Sequence, residues 1–131
     1  MAFVVQRLQD AGSREFAEAW GLYCSAFPLA ERRDAHLHAA AMAQAPDFVC
    51  LHLRDAGGFV GLLFYWLFSH CVYVEHLAIA EPRRGQGLGQ RVLALAQQHG
   101  LPVMLEIEPV CDAVTARRLA FYGTAAKKSR E

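Results

Sequence analysis

Apolar runs and polar punctuation alternate along the chain, and most runs have a readable period. Residues 3–8 (Phe-Val-Val-Gln-Arg-Leu) predict a short strand. Ser13 stands where a helix N-cap is wanted. Beyond it, Phe16, Trp20, Tyr23 and Phe27 recur at i, i+4, i+7 and i+11, which is one helical face. Pro28 ends or re-aims that helix, and an Ala-rich second helix is expected from about Leu29 to Ala45, closed by Pro46. Residues 47–54 predict a strand, Asp55-Ala-Gly-Gly58 a turn, and residues 59–68 a strand that pairs back as a hairpin. Residues 71–80 predict another strand. The segment Glu81-Pro-Arg-Arg-Gly-Gln-Gly-Leu-Gly89 is a Gly-rich loop opening a helix with Leu88, Val92 and Leu95 on its apolar face. Gly100 and Pro102 stop that helix. Residues 103–108 predict a strand, and a last helix is expected from near Asp112 through Tyr122.

The expected order is β-α-α-β-β-β-α-β-α. Short turns imply antiparallel pairing of 47–54, 59–68 and 71–80, whereas the strand-helix-strand unit from 71 to 108 implies a parallel, right-handed crossover. The fold class is therefore α/β (α+β): a mixed, mainly antiparallel sheet flanked by helices. One domain is expected over residues 1–122, followed by a polar tail over 123–131.

Composition narrows the function classes. The 131 residues are 54% hydrophobic and 20% charged, enough apolar surface for one core and too much for a disordered chain. Thirteen basic and thirteen acidic side chains cancel, so no global field favours nucleic acid or an anionic membrane. The most apolar stretch, residues 59–68, is ten residues long, against the roughly 18 needed to cross a bilayer. The start lacks a signal-peptide apolar region, and a cytoplasmic location is expected. Cys24, Cys50, Cys71 and Cys111 form no CxxC, and the histidines (36, 38, 52, 70, 76 and 99) form no HExxH, so reduced thiols and no metal site are expected. Solvated or satisfied histidines are the expectation, with His36 and His38 on the surface.

The loop carries the chemistry. Arg84-Gly-Gln-Gly-Leu-Gly89 joins a strand to a helix N-terminus, whose free N–H groups and partial positive charge favour an anion. Glycines let a ligand approach the backbone, and Arg83 and Arg84 add two cations, which suits a diphosphate. The absence of Gly-Lys-Ser/Thr excludes a Walker A loop. Gly85-x-Gly87-x-Gly89 is not GxGxxG, although Glu106, 21 residues after Gly85, keeps a dinucleotide-binding reading as a minor alternative.

Three stretches resemble the GNAT N-acetyltransferase superfamily. Arg84, Gly87 and Gly89 match its (Gln/Arg)-x-x-Gly-x-(Gly/Ala) acetyl-CoA signature. Tyr73-Val-Glu-His-Leu-Ala-Ile79 is similar to the strand before that loop, and Ala116-Arg-Arg-Leu-Ala-Phe-Tyr122 to a later helix ending in Phe-Tyr. The opening helices, with Ala26-Phe-Pro and Glu31-Arg-Arg33, look like the family's substrate-side pair.

The resemblance implies acetyl-CoA as acyl donor and an amine, of a small molecule or a protein, as acceptor. It implies that the backbone of Leu77, Ala78 and Ile79 pairs with the pantetheine arm. Arg84, Gly85, Gln86, Gly87, Leu88, Gly89 and Gln90 would wrap the diphosphate. Tyr122 matches the family's general acid toward the leaving thiolate, while Thr115 falls where many relatives carry a cofactor-contacting Asn. An ammonium acceptor must lose a proton before attack, so a carboxylate, or water held by one, is wanted. Glu75, Glu106 and Glu108 are the candidates, Glu75 and Glu106 leading; the alternative is that they face solvent or pair with arginine. Relatives usually continue beyond Phe-Tyr with two more strands, and the tail here carries no strand signal. A non-catalytic acyl-CoA-binding module, dimeric through an exposed edge of strand 103–108, is therefore the competing expectation.

Overall fold

The computed structural model describes residues 2–105. Its elements run β1 (Val4–Arg7), α1 (Arg14–Ala26), α2 (Ala35–Gln44), β2 (Phe48–Asp55), β3 (Gly58–Leu67), β4 (Val72–Ile79), α3 (Leu88–Gln97) and β5 (Val103–Leu105). The described strands form one sheet in the order β1-β2-β3-β4-β5. The first four pair antiparallel, and β4 pairs with β5 in parallel, as the crossover through α3 requires.

The sheet is covered on both faces, which explains why β2 and β3 read as nearly unbroken apolar runs. Alternate residues serve opposite layers. Val49, Leu51, Leu53, Leu63 and Tyr65 join Leu88, Val92, Leu93 and Ala96 under α3. Phe48, Cys50, Leu62 and Phe64 join Phe16, Ala19, Leu22, Tyr23 and Phe27 under α1, with Met42 from α2. Side chains such as Leu62 and Leu63 are fully buried, each worth about 1.5–3 kcal/mol of transfer free energy.

Local chemistry sets the element ends. The Ser13 hydroxyl accepts from the Phe16 N–H and caps α1. The expected Leu29–Ala45 helix is corrected: Leu29–Glu31 forms only a 3-10 turn, Arg32 is extended, and α2 starts afresh at Ala35. The restart follows from Asp34, whose carboxylate accepts from the N–H groups of His36 and Leu37. A short linker, residues 28–34, thus runs between α1 and α2.

His38 is corrected as well. It is fully buried, ringed by Phe16, Trp20, Tyr23, Phe48 and Phe64 at centroid distances of 4.9–6.1 Å. Its Nε2 lies 3.4 Å from Cys50 Sγ. Burial, reinforced by the charges of Arg33 and His76, lowers the His38 pKa to about 4, and burial pushes the Cys50 thiol up. The pair is therefore a neutral imidazole in contact with a protonated thiol. His52 and His76 are also buried. His52 Nε2–H donates to Glu18 at 2.7 Å, which ties β2 to α1.

Glu106, Glu108, Cys111, Thr115, Tyr122, the Asp112–Tyr122 helix and the 123–131 tail lie outside the described residues. Of the expected 103–108 strand, Val103–Leu105 is described. Among the described residues, Cys24, Cys50 and Cys71 are free thiols and no group of metal-ligating side chains forms. No described helix is long and apolar enough to cross a membrane.

Candidate active site

After β4 the backbone makes a 3-10 turn over Glu81–Arg83 and turns extended at Arg84. It then passes through two left-handed positions, Gly85 (φ +80°) and Gly87 (φ +74°). Side chains strain that conformation, so the glycines are required by the turn itself. Gly87 is the N-cap of α3, and no side chain caps the helix. The first-turn amides of α3 thus lie at an exposed loop, where the aligned peptide dipoles place partial positive charge. Leu88 is buried in the α3 core and anchors the helix start, whereas Gln86 and Gln90 are exposed.

The two expected cations differ in role. Arg83 Nη2 donates to Asp55 Oδ2 at 2.7 Å, and Nη1 to the Gly58 carbonyl at 3.3 Å, pinning the loop to the β2–β3 hairpin. That pairing holds the Asp55 carboxyl below its usual range and corrects the reading of Arg83 as a cation offered to a ligand. Arg84 Nε donates to the Ile79 carbonyl at 2.9 Å and ties the loop to the end of β4, with the residue exposed.

Leu77, Ala78 and Ile79 lead straight into this turn. Leu77 faces the α3 core and Ala78 the α1 core, with Ile79 packed beside α3. Their side chains are committed to packing, so only their backbone is available to a ligand. Here β3 and β4 approach closely: a Cβ on Gly61 would stand 2.1 Å from the Ala78 carbonyl oxygen.

Glu75 occupies the bulge of β4. Phe64 pairs with His76 and Tyr65 with Val74, which leaves Glu75 as the extra residue. The bulge sends two consecutive side chains to the α1 face. His76 packs edge-on against Tyr23 and Phe27, both at 4.7 Å, and its Nε2–H donates to the Glu31 carbonyl at 3.1 Å. Glu75 accepts from Arg33 Nη2 at 3.0 and 2.9 Å, and from Trp66 Nε1–H at 3.3 Å. The arginine-paired alternative for this carboxylate is the one that the structure shows.

The structure thus joins Leu77–Ile79 to the Arg84–Gln90 loop and sets Glu75 upstream on the same strand. Sequence reading placed Arg33 on the substrate side without its Glu75 partner, and it missed the contacts of Trp66, His76 and Asp55. The charge pairs Arg33–Glu75 and Arg83–Asp55 span 42 and 28 residues, and no local spacing announces them.

Comparison with known proteins agrees with this arrangement. Residues 8–122 match the model of the Acetyltransferase (GNAT) family. A Bacillus subtilis (strain 168) protein named "Putative acetyltransferase YjbC" is 32% identical over 99 residues, covering 73% of this chain and 49% of that protein. The chain therefore spans about half the length of that curated relative. Among solved structures, "Putative acetyltransferase from GNAT family" from Bacteroides thetaiotaomicron superposes with a TM-score of 0.81 at 24% identity, covering 93% of this chain and 70% of that one. AAC(6')-Iy, in complex with the bisubstrate analog CoA-S-monomethyl-acetylneamine, gives a TM-score of 0.68 at 16% identity, covering 100% of this chain and 95% of the other. With the family model matching residues 8–122, most of its length, the chain belongs to the GNAT acetyltransferase family.

Proposed function

We propose that the protein is an acetyl-CoA-dependent N-acetyltransferase acting on an amine of a small molecule or a protein. The observation that carries this reading is the loop after β4. Two left-handed glycines deliver the chain to a helix start without a side-chain cap, a geometry that offers several N–H groups to one anion.

In this reading the amides of Gly85 to Gln90 hold the donor's diphosphate, with the exposed Arg84 beside them. The backbone of Leu77, Ala78 and Ile79 runs along the pantetheine arm, whose amides complete strand-like hydrogen bonds. A strand N–H near the bulge would hold the thioester oxygen as charge develops. The acceptor nitrogen forms the new C–N bond as the C–S bond breaks; its proton passes to a carboxylate or carboxylate-held water, and the thiolate takes a proton from an acid. Glu106 and Tyr122 fill these two roles. Glu75, committed to Arg33 and Trp66, serves acceptor binding rather than direct proton abstraction.

The test is amine-dependent release of CoA thiol from acetyl-CoA. Solved relatives are named as an aminoglycoside acetyltransferase from a soil metagenomic sample and as a ribosomal-protein-alanine N-acetyltransferase from Brucella melitensis biovar Abortus 2308. A panel containing neamine, an alanine-terminated peptide and simple primary amines therefore spans both acceptor kinds. Thiol release that requires one of these amines supports the enzyme. Acetyl-CoA binding with no amine turned over would overturn it in favour of the binding module.

A further inference from the structure

We propose that Arg33 is a positioning residue of the acceptor site: it holds the Glu75 carboxylate and docks the 28–34 linker as the wall beside it. The proposal rests on the acetyltransferase reading above. Glu75 and Arg33 are each 22% exposed, so their pairing forms in a partly dehydrated setting where geometry matters.

The carboxylate has about four lone-pair positions. Oε1 receives Arg33 and Trp66, and Oε2 receives Arg33 alone, so the described donors fill three. The remaining position, on Oε2, suits an acceptor N–H or a water. Arg33 is itself fixed from several sides. Its backbone N–H donates to Tyr23 Oη at 2.7 Å, and its guanidinium lies over the Phe48 ring at 5.0 Å. Two residues earlier, the Glu31 carbonyl accepts from His76. Both side chains delivered by the β4 bulge therefore grip the same linker. Lysine would reproduce the hold only in part: both bonds to Glu75 come from Nη2, which an ammonium could imitate, but an ammonium stacks poorly on Phe48.

The first test needs no ligand. Trp66 and Trp20 are the two tryptophans, and Trp66→Phe assigns the Trp66 indole N–H signal by NMR. In Arg33→Met and in Glu75→Gln that signal should move, with Arg33→Lys intermediate. Amide exchange over residues 28–34 should accelerate at least tenfold in Arg33→Met, with the 84–90 loop unaffected. The second test is kinetic, using whichever panel amine the wild type turns over. Arg33→Met should raise acceptor KM tenfold or more and leave acetyl-CoA KM within twofold; Arg33→Lys should recover part of the loss. An unmoved indole signal, or equal rises in both KM values, would overturn the proposal while leaving the acetyltransferase reading intact. Failure of the wild type to bind acetyl-CoA would overturn that reading instead.

Discussion

Gly61 and His38 show how far single residues can be read. Gly61 sits inside an apolar run with nothing nearby to mark it, yet a methyl group there would collide with the Ala78 carbonyl at 2.1 Å. The obstacle is backbone, which cannot rotate away. Gly61→Ala should therefore destabilise the protein by about 1–3 kcal/mol, seen as a fall of several degrees in Tm, and it should also disturb the adjoining Leu77–Ile79 backbone. His38 read as surface because it follows an exposed cap in a helix of weak amphipathicity; aromatic rings from α1, β2 and β3 bury it instead. Its pKa is lowered to about 4, against an ordinary value of 6.5. Between these values the unfolded chain binds a proton that the folded chain refuses. Stability from this group is full above pH 6.5 and falls as pH drops toward 4, by roughly 3 kcal/mol, and stays level below that. Arg33, His76, Cys50 and Tyr23 are described ionisable groups that face it. Chemical denaturation at pH 7 and pH 4.5 should show this slope in the wild type and a reduced one in His38→Phe.

Elements were legible where a local signal and a tertiary demand agree. Ser13 capped α1 as expected, and the Asp55–Gly58 turn joined β2 to β3 because Asp55 Oδ1 accepts from the Gly57 N–H. The second helix misled because alanines favour helix along its whole length, whereas Asp34 captures two amides and restarts the helix later. Asp34→Ala should cost about 1 kcal/mol and loosen the start of α2. Faster amide exchange at His36 and Leu37 checks it, and unchanged exchange there would contradict the cap. The glycine turn and the helix start after it were legible from the spacing, but the separate roles of the two arginines were not. Arg83 is used by an aspartate 28 residues away, and only the folded hairpin brings that partner in.

At the scale of the whole molecule, the mixed sheet followed from element order and connection length. Strands joined by tight turns pair antiparallel, and a strand-helix-strand unit pairs in parallel. The bulge at Glu75 did not follow, because bulges arise from how neighbouring strands match, and β4 reads as an ordinary alternation until it is paired with β3. That one extra residue places Glu75 and His76 together on the α1 face. In the proposed function the β4 end and the Gly85–Gln90 loop bind acetyl-CoA. Thermal unfolding with increasing acetyl-CoA tests it most directly. Tm should rise with ligand, by the equivalent of about 2.7 kcal/mol at a hundredfold excess over Kd. A Tm unchanged at millimolar acetyl-CoA would contradict it.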